Sequence, residues 1–318
     1  MKTKHLISIG DLEKEEILEI FDTTEDLKLK QKKGVKYSPL AGKTLAMIFS
    51  KPSTRTRVSF EVGIYQLGGL GLFLSGQDLQ LRRGETIGDT AQTLSRYVDG
   101  IMIRTFDHKD VEDLAKYGTI PVINGLTDLE HPCQVLGDVF TILEKKVEGR
   151  SKKVEDKVKE LKNLKVVFIG DGNNVANSLI LLCAKLSMNL TVISPLGYEP
   201  DKKNCEKAAE ISKKTGAKIS LSTDIADAKD ADVLYTDVWA SMGKDAEREQ
   251  RLKVFKPYQI NSSVMSKAKS DCIIMHCLPA HRGEEITNEV IDSTNSVVFD
   301  EAENRLHVQK AIMVLFMK

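Results

Sequence analysis

The sequence carries no excess of charge: 46 Lys and Arg balance 46 Asp and Glu over 318 residues. That balance excludes a general polyanion-binding face, so neither nucleic acid nor an acidic membrane is an expected partner. Long hydrophobic runs are missing too, and no stretch reaches the length that spans a bilayer. The N-terminus, Met1-Lys2-Thr3-Lys4-His5, lacks the apolar core of a secretory signal. Cysteine is scarce and odd in number: Cys133, Cys183, Cys205, Cys272 and Cys277. Their spacing is not that of a disulfide framework and suits a reducing cytoplasm. Internal repeats, heptads and low-complexity tracts are absent.

What is present is alternation. Apolar runs at Leu45–Phe49, Leu70–Leu74, Gly100–Ile103 and Ile120–Ile123 read as buried strands. Helical patterns lie between them, at Thr86–Tyr97 and Val111–Tyr117. A first helix is expected over Asp11–Lys32, capped by Asp11 and closed by Gly34. Another runs from Pro132 to about Val147. After the polar stretch Glu148–Asn163, a second set begins at Lys165–Ile169. It continues through Leu190–Ser194, Lys218–Ser222, Val233–Thr236, Ile273–His276 and Val297–Asp300. An amphipathic helix closes the chain at Glu301–Lys318. Strands separated by helices predict an α/β protein of two domains, each a parallel sheet flanked by helices. The boundaries are 1–147 and 148–300.

Open α/β sheets bind ligands beyond the carboxyl ends of their strands, and there the polar residues gather. Ser53-Thr54-Arg55-Thr56-Arg57 follows Leu45–Phe49 and opens a helix. Helix N–H groups, hydroxyls and guanidinium forks together suit a small phosphorylated ligand. A Ser cap with a solvated Arg pair is the plainer alternative. Arg104 ends one strand and Gln80 lies in a polar loop after another. His131-Pro132-Cys133-Gln134 places His131 at a helix cap, because Pro132 fits the first turn. Gly170-Asp171-Gly172-Asn173-Asn174-Val175 invites a dinucleotide reading. However, Val175 stands at the third glycine position and no acidic residue ends the next strand. Asn174 remains a donor and acceptor for a polar ligand. Asp237 follows Val233–Thr236, and the chain's single Trp239 leads into Ser241-Met242-Gly243, a candidate substrate loop. His276-Cys277-Leu278-Pro279 could be inert core, a cysteine nucleophile, or with His131 and Cys133 a zinc site. Adjacent strand residues face opposite ways, so His276 is poorly placed to activate Cys277. The spacing matches no common metal pattern.

As an ordered set, Ser53–Arg57, His131–Gln134, Asp237 with Ser241–Gly243, and His276–Pro279 resemble the signatures of the ornithine carbamoyltransferases. The likeness runs from Phe49 to Arg305. The first two motifs are shared with aspartate carbamoyltransferases, and the last two are more specific to the ornithine branch. The resemblance implies transfer of a carbamoyl group from carbamoyl phosphate to the side-chain amine of L-ornithine, giving L-citrulline in arginine synthesis. It implies a carbamoyl-phosphate domain at 1–147, an ornithine domain at 148–300, and a helix 301–318 returning to the first. Carbamoyl phosphate would meet Ser53, Thr54, Arg55, Thr56, Gln80, Arg104, His131, Gln134, Cys277, Leu278 and Arg305. Ornithine would meet Asn174, Asp237, Ser241 and Met242. Cys277, Arg104, His131 and Asp237 would carry the chemistry without metal or organic cofactor. A homotrimer, or a multiple of trimers, is implied, with Gln80 reaching a neighbour's ligand. Putrescine, aspartate or a modified ornithine is the alternative acceptor. A non-catalytic phosphometabolite-binding protein and a nicotinamide-dependent dehydrogenase are the readings from other classes.

Overall fold

The structure, a computed structural model, describes residues 1–76, 79, 84–147, 153–240 and 247–318. The chain divides into two compact units, Met1–Gly137 with Glu303–Lys318, and Asp138–Ala302.

The first unit contains a four-stranded sheet of β1 (Thr44–Phe49), β2 (Leu70–Ser75), β3 (Gly100–Arg104) and β4 (Val122–Leu126), in the order β2-β1-β3-β4. Every pairing is parallel. The helices are α1 (Lys14–Lys32), α2 (Thr54–Gln66), α3 (Ile87–Leu94) and α4 (His108–Tyr117). The start of α5 (Pro132–Lys146) and most of α12 (Val298–Met317) also belong here. Ala46, Ile48, Ile101, Ile103 and Val122 form the core against Ala91, Val111 and Leu114 of α3 and α4. The edge strand β2 is unusually exposed, and Leu70 and Leu72 face outward.

Several boundaries differ from the sequence reading, among them α3, which ends at Leu94, and α4, which begins at His108; two others have a clear physical cause. The first helix does not begin at Asp11. Ser8 and Asp11 close a reciprocal cap on a separate 3-10 turn, Ile9–Asp11, and Leu12 is extended. The α-helix then starts at Lys14 on a second box, Glu13 with Glu16. The fourth strand is displaced from Ile120–Ile123 to Val122–Leu126. Pro121 has no N–H for a ladder, and Asn124-Gly125 is held in the sheet from the N-terminus. There Asn124 N donates to Leu6 O at 2.8 Å, and its Nδ2 to Ile7 O at 2.8 Å.

The second unit holds a five-stranded parallel sheet of β5 (Lys165–Ile169), β6 (Asn189–Ile193), β7 (Lys218–Ser222), β8 (Val233–Thr236) and β9 (Ile273–His276). Its order is β7-β6-β5-β8-β9. Helices α6 (Val154–Glu160), α7 (Asn174–Lys185), α8 (Lys202–Thr215), α9 (Arg248–Phe255), α10 (Ser262–Met265) and α11 (Asn288–Ile291) complete it. Val167, Ile169, Leu234 and Ile274 centre its core. The expected last strand, Val297–Asp300, is not one. Its β-branched residues give way to Asp300 and Glu301, which suit a helix N-terminus, and α12 begins at Val298. Only a bridge between Ile274 and Ser296 remains of the pairing.

Both sheets change winding direction once. In the first, the chain leaves β1 toward β2 and returns to β3 on the other side. In the second, the reversal lies between β5 and β8. The crevice beyond such a reversal is where an open α/β sheet receives ligand.

Candidate active site

In the first unit the reversal is flanked by the β1–α2 turn and by Arg104. Ser53 caps α2: its Oγ accepts from Thr56 N at 3.1 Å. This turns the first helical residues, Thr54 and Arg55, toward the strand ends with their N–H groups unspent by the helix. Arg55 Nε is buried without a hydrogen-bond partner among the described residues. Thr56 is fully buried, and its hydroxyl oxygen accepts from Arg104 Nη1 at 3.2 Å and also from Arg305 Nη2. Arg305 reaches this position because α12 lies against Gly137 of α5. A Cβ there would stand 3.4 Å from the Arg305 Cα.

His131 and Gln134 are buried at the start of α5, and Gln134 N donates to His131 O at 3.1 Å. Burial, then the positive charges of Arg305 and Arg104, hold the His131 imidazole well below its usual range, so it is neutral at pH 7. Its loop is fixed by buried Glu130, which accepts from Ser8 Oγ at 2.5 Å and Ile9 N at 3.1 Å. Neither Glu130 nor Lys51 was singled out from the sequence. Lys51 is buried in the β1–α2 turn, ion-paired to Asp128 and 4.2 Å from the Phe106 ring centroid. Its only signal was a cation beside a helix cap. Arg57 does not join the cluster. It lies on the exposed side of α2, 3.3 Å from Glu61 and 3.7 Å from the Phe73 ring.

In the second unit the reversal is flanked by the β5–α7 turn and by Asp237 after β8. Asp237 collects three donors. Its Oδ2 accepts from Asn173 Nδ2 at 2.6 Å, and its Oδ1 from Val238 N at 2.8 Å and Cys277 Sγ at 2.9 Å. Asn173 also caps α7 through Oδ1. Asn174, the residue chosen from the sequence, is the first residue of that helix. Periodicity places both at the turn but does not tell which side chain turns toward β8.

Burial and then the Asp237 charge push the Cys277 thiol well above its usual range, so it stays protonated and donates to the carboxylate. His276 points elsewhere. Its Nδ1 accepts from Leu278 N at 2.9 Å, so Nε2 carries the hydrogen and donates to Glu285 Oε1 at 3.0 Å. Leu278 adopts φ +56, uncommon for a branched side chain and a frequent mark of functional segments. Glu301 Oε2 accepts from His276 N at 2.9 Å and Tyr235 OH donates to Asp138 at 2.8 Å, which closes the buried floor.

Ligand-capable atoms of Asp237, His276 and Cys277 lie within 4.8 Å of one another. Both His276 ring nitrogens are committed and the thiol is protonated, so the trio is arranged for hydrogen bonding rather than metal ligation. Cys133 is core: it donates to Asn124 O at 3.4 Å and burial pushes its thiol up to about 12. Gly172 faces the chain itself, since a Cβ would meet the Glu199–Pro200 backbone at 2.2 Å. The close approach that a pyrophosphate needs is already occupied. Gln80, Ser241 and Met242 lie outside the described residues.

The family model for the aspartate/ornithine carbamoyltransferase carbamoyl-P binding domain matches residues 4–144, and that for the Asp/Orn binding domain matches 162–316. The chain belongs to the aspartate/ornithine carbamoyltransferase family. An ornithine carbamoyltransferase of Thermococcus kodakarensis is 59% identical over 99% of this chain and 96% of its own. The anabolic ornithine carbamoyltransferase of Pyrococcus furiosus is 56% identical, covering 99% and 96%. A solved structure of the ornithine carbamoyltransferase from Pyrococcus furiosus matches with a TM-score of 0.92 at 56% identity, over 99% of this chain and 97% of that one. The anabolic enzyme of Campylobacter jejuni matches at 0.89 with 41% identity, over 99% of each chain. Membership of the carbamoyltransferase family, with the filled space at Gly172, replaces the dinucleotide reading of the β5–α7 turn.

Proposed function

We propose that this carbamoyltransferase moves the carbamoyl group of carbamoyl phosphate to the side-chain amine of L-ornithine, yielding L-citrulline and phosphate. The observation that carries the reading is the Thr56 hydroxyl held between Arg104 and Arg305 beside a neutral imidazole. Cationic donors there stabilise negative charge as a carbonyl becomes tetrahedral. Ser53, Thr54, Arg55 and Thr56 take the phosphate, with Gln80 assisting. Arg104, His131, Gln134, Thr56 and Arg305 take the carbamoyl end, joined by Cys277 and Leu278. In this reading residues 1–147 are the carbamoyl-phosphate domain, 148–300 the ornithine domain, and 301–318 returns to the first.

The attacking amine resembles that of lysine, with a pKa near 10.4, so freeing it at pH 7 costs about 4.6 kcal/mol. Asp237 attracts the ammonium form and orients it after proton loss. Cys277, kept as a thiol, positions Asp237 and forms no bond to carbon. Asn174, Ser241 and Met242 hold the α-amino and carboxylate end. The ammonium releases one proton to solvent before attack. Nitrogen of the neutral amine then attacks the carbonyl carbon, the C–O bond to phosphate breaks, and the departing phosphate takes the second amine proton, so charge and atoms balance.

The exposed apolar strip of Val58, Val62 and Tyr65 on α2 with Leu70, Leu72 and Phe73 on β2 supports a homo-oligomer, which we place as a trimer or multiple of trimers. All five cysteines are free, and no described helix is long and apolar enough to cross a membrane, which supports a cytoplasmic location. The test is citrulline formation from carbamoyl phosphate with ornithine, putrescine and aspartate in parallel. Turnover confined to putrescine or aspartate would overturn the choice of acceptor, and no phosphate release with any amine would overturn catalysis.

A further inference from the structure

Arg251 lies on α9, away from the residues already assigned, yet it is buried together with Asp171 and Trp239. Its side chain is 6% exposed and that of Asp171 is 7% exposed. Arg251 Nη1 donates to Asp171 Oδ2 at 2.9 Å and to Trp239 O at 2.9 Å, while Nε donates to Glu247 at 3.0 Å. The guanidinium lies 4.9 Å from the Tyr198 ring centroid. Phe255 packs edge-on to Tyr198 at 4.9 Å and stacks on Trp239 at 5.9 Å. One planar group thus joins three segments: the Gly170–Asn173 turn, the stretch Asp237–Trp239, and α9.

Two of these segments supply the geometry of Asp237. Asp171 is two residues before Asn173, whose amide grips Asp237 Oδ2. Trp239 is two residues after Asp237. The join by Arg251 and the join by Asn173 therefore run side by side across the β5–β8 reversal. Charge matters as much as shape. Asp171 is a buried carboxylate within this turn, and a buried charge without its partner is strongly unfavourable.

We propose that Arg251 is a positioning residue for the amine acceptor. It fixes the turn against Trp239 and cancels the charge of Asp171, so that Asp237 is the carboxylate offered to a cationic substrate. The proposal rests on the carbamoyltransferase reading and names a determinant of acceptor binding that never touches substrate.

Paired single and double substitutions test it, with citrulline formation, carbamoyl-phosphate binding by calorimetry and thermal melting measured on each. Arg251→Met takes a counter-charge from the Asp171 carboxylate, and Asp171→Asn leaves the guanidinium with one carboxylate fewer, so that its excess charge repels the ammonium substrate. Each single variant is expected to raise KM for ornithine about tenfold, equivalent to about 1.4 kcal/mol, with carbamoyl-phosphate affinity unchanged. Arg251→Met with Asp171→Asn removes both charges and should recover most of the ornithine KM. If Arg251→Met fails to fold, Asp171→Asn and Arg251→Lys carry the test, with Lys retaining the charge but losing the fork. Singles that keep the wild-type ornithine KM would overturn the proposal, as would a double variant no better than its parents. Equal weakening of both substrates tracking the melting temperature would assign Arg251 to stability alone. Wild-type protein that forms no citrulline would instead defeat the carbamoyltransferase reading.

Discussion

At the winding reversal of the first sheet, guanidinium groups converge on a hydroxyl, and a histidine is kept neutral by burial and then by their charge. At the reversal of the second, a carboxylate gathers an amide, a backbone N–H and a thiol kept protonated by burial and then by that carboxylate. The two sheets share parallel pairing and a crevice at the same topological place. They differ in the sign of the fixed charge. Similar backbone architecture thus carries fixed positive charge at one end and fixed negative charge at the other, and in both the neighbouring titratable group is driven to its neutral form. Fold supplies the place, and a few side chains decide which half of a two-substrate reaction it serves.

The contrast is most sharply broken by removing the cation. Arg104→Ala should lower kcat by about 10²–10³, the usual loss for one donor at a developing oxyanion. The measurement is citrulline release at saturating substrates. A loss under tenfold would remove Arg104 from the carbonyl. Exchanging the charge on the other side comes next: Asp237→Asn should lower kcat/KM for ornithine by about 10–10², since a charge-assisted hydrogen bond is worth about 1.5–3 kcal/mol. Carbamoyl-phosphate binding should stay intact in a titration without amine. Cys277→Ser keeps a donor to Asp237 and should cost less, about tenfold in turnover. A covalent carbamoyl–cysteine adduct detected by mass spectrometry would contradict its positional role.

The smallest effect concerns His131. Its folded pKa lies below the unfolded value of about 6.5, so below that pH the unfolded chain binds a proton that the folded chain refuses. Stability therefore falls as pH drops from about 6.5 toward the folded pKa. His131→Asn should flatten that acid limb in urea melts between pH 7 and 5. An unchanged slope would show that His131 is not the group responsible.

Much of this arrangement is legible in the sequence, because strand ends and helix starts carry their own marks. Ser53 reads as a cap, Pro132 as a first turn, and Arg104 as the last residue of an apolar run, and the structure places each so. The limits are equally physical. A turn of two asparagines does not say that Asn173 Nδ2 donates to Asp237, a bond that only the fold reveals. Val297–Asp300 has strand-like residues, yet a helix begins at Val298 with Asp300 and Glu301 in its first turn. Arg251 is invisible from spacing, since its partners Asp171 and Trp239 are remote in sequence and meet it only through the fold. Lys51 and Glu130 escape notice likewise: a lone charge carries no sign of being buried.

The Thr56 hydroxyl has a further consequence. A threonine oxygen has two lone pairs and one hydrogen. Both lone pairs are claimed, one by Arg104 and one by Arg305. Thr56 is thereby converted from an amphoteric group into a pure donor. It can greet an oxygen and has nothing left to give an N–H, so this residue discriminates by polarity as well as by shape. A carbamoyl group, which presents both an oxygen and an amide nitrogen, would be read there in one orientation.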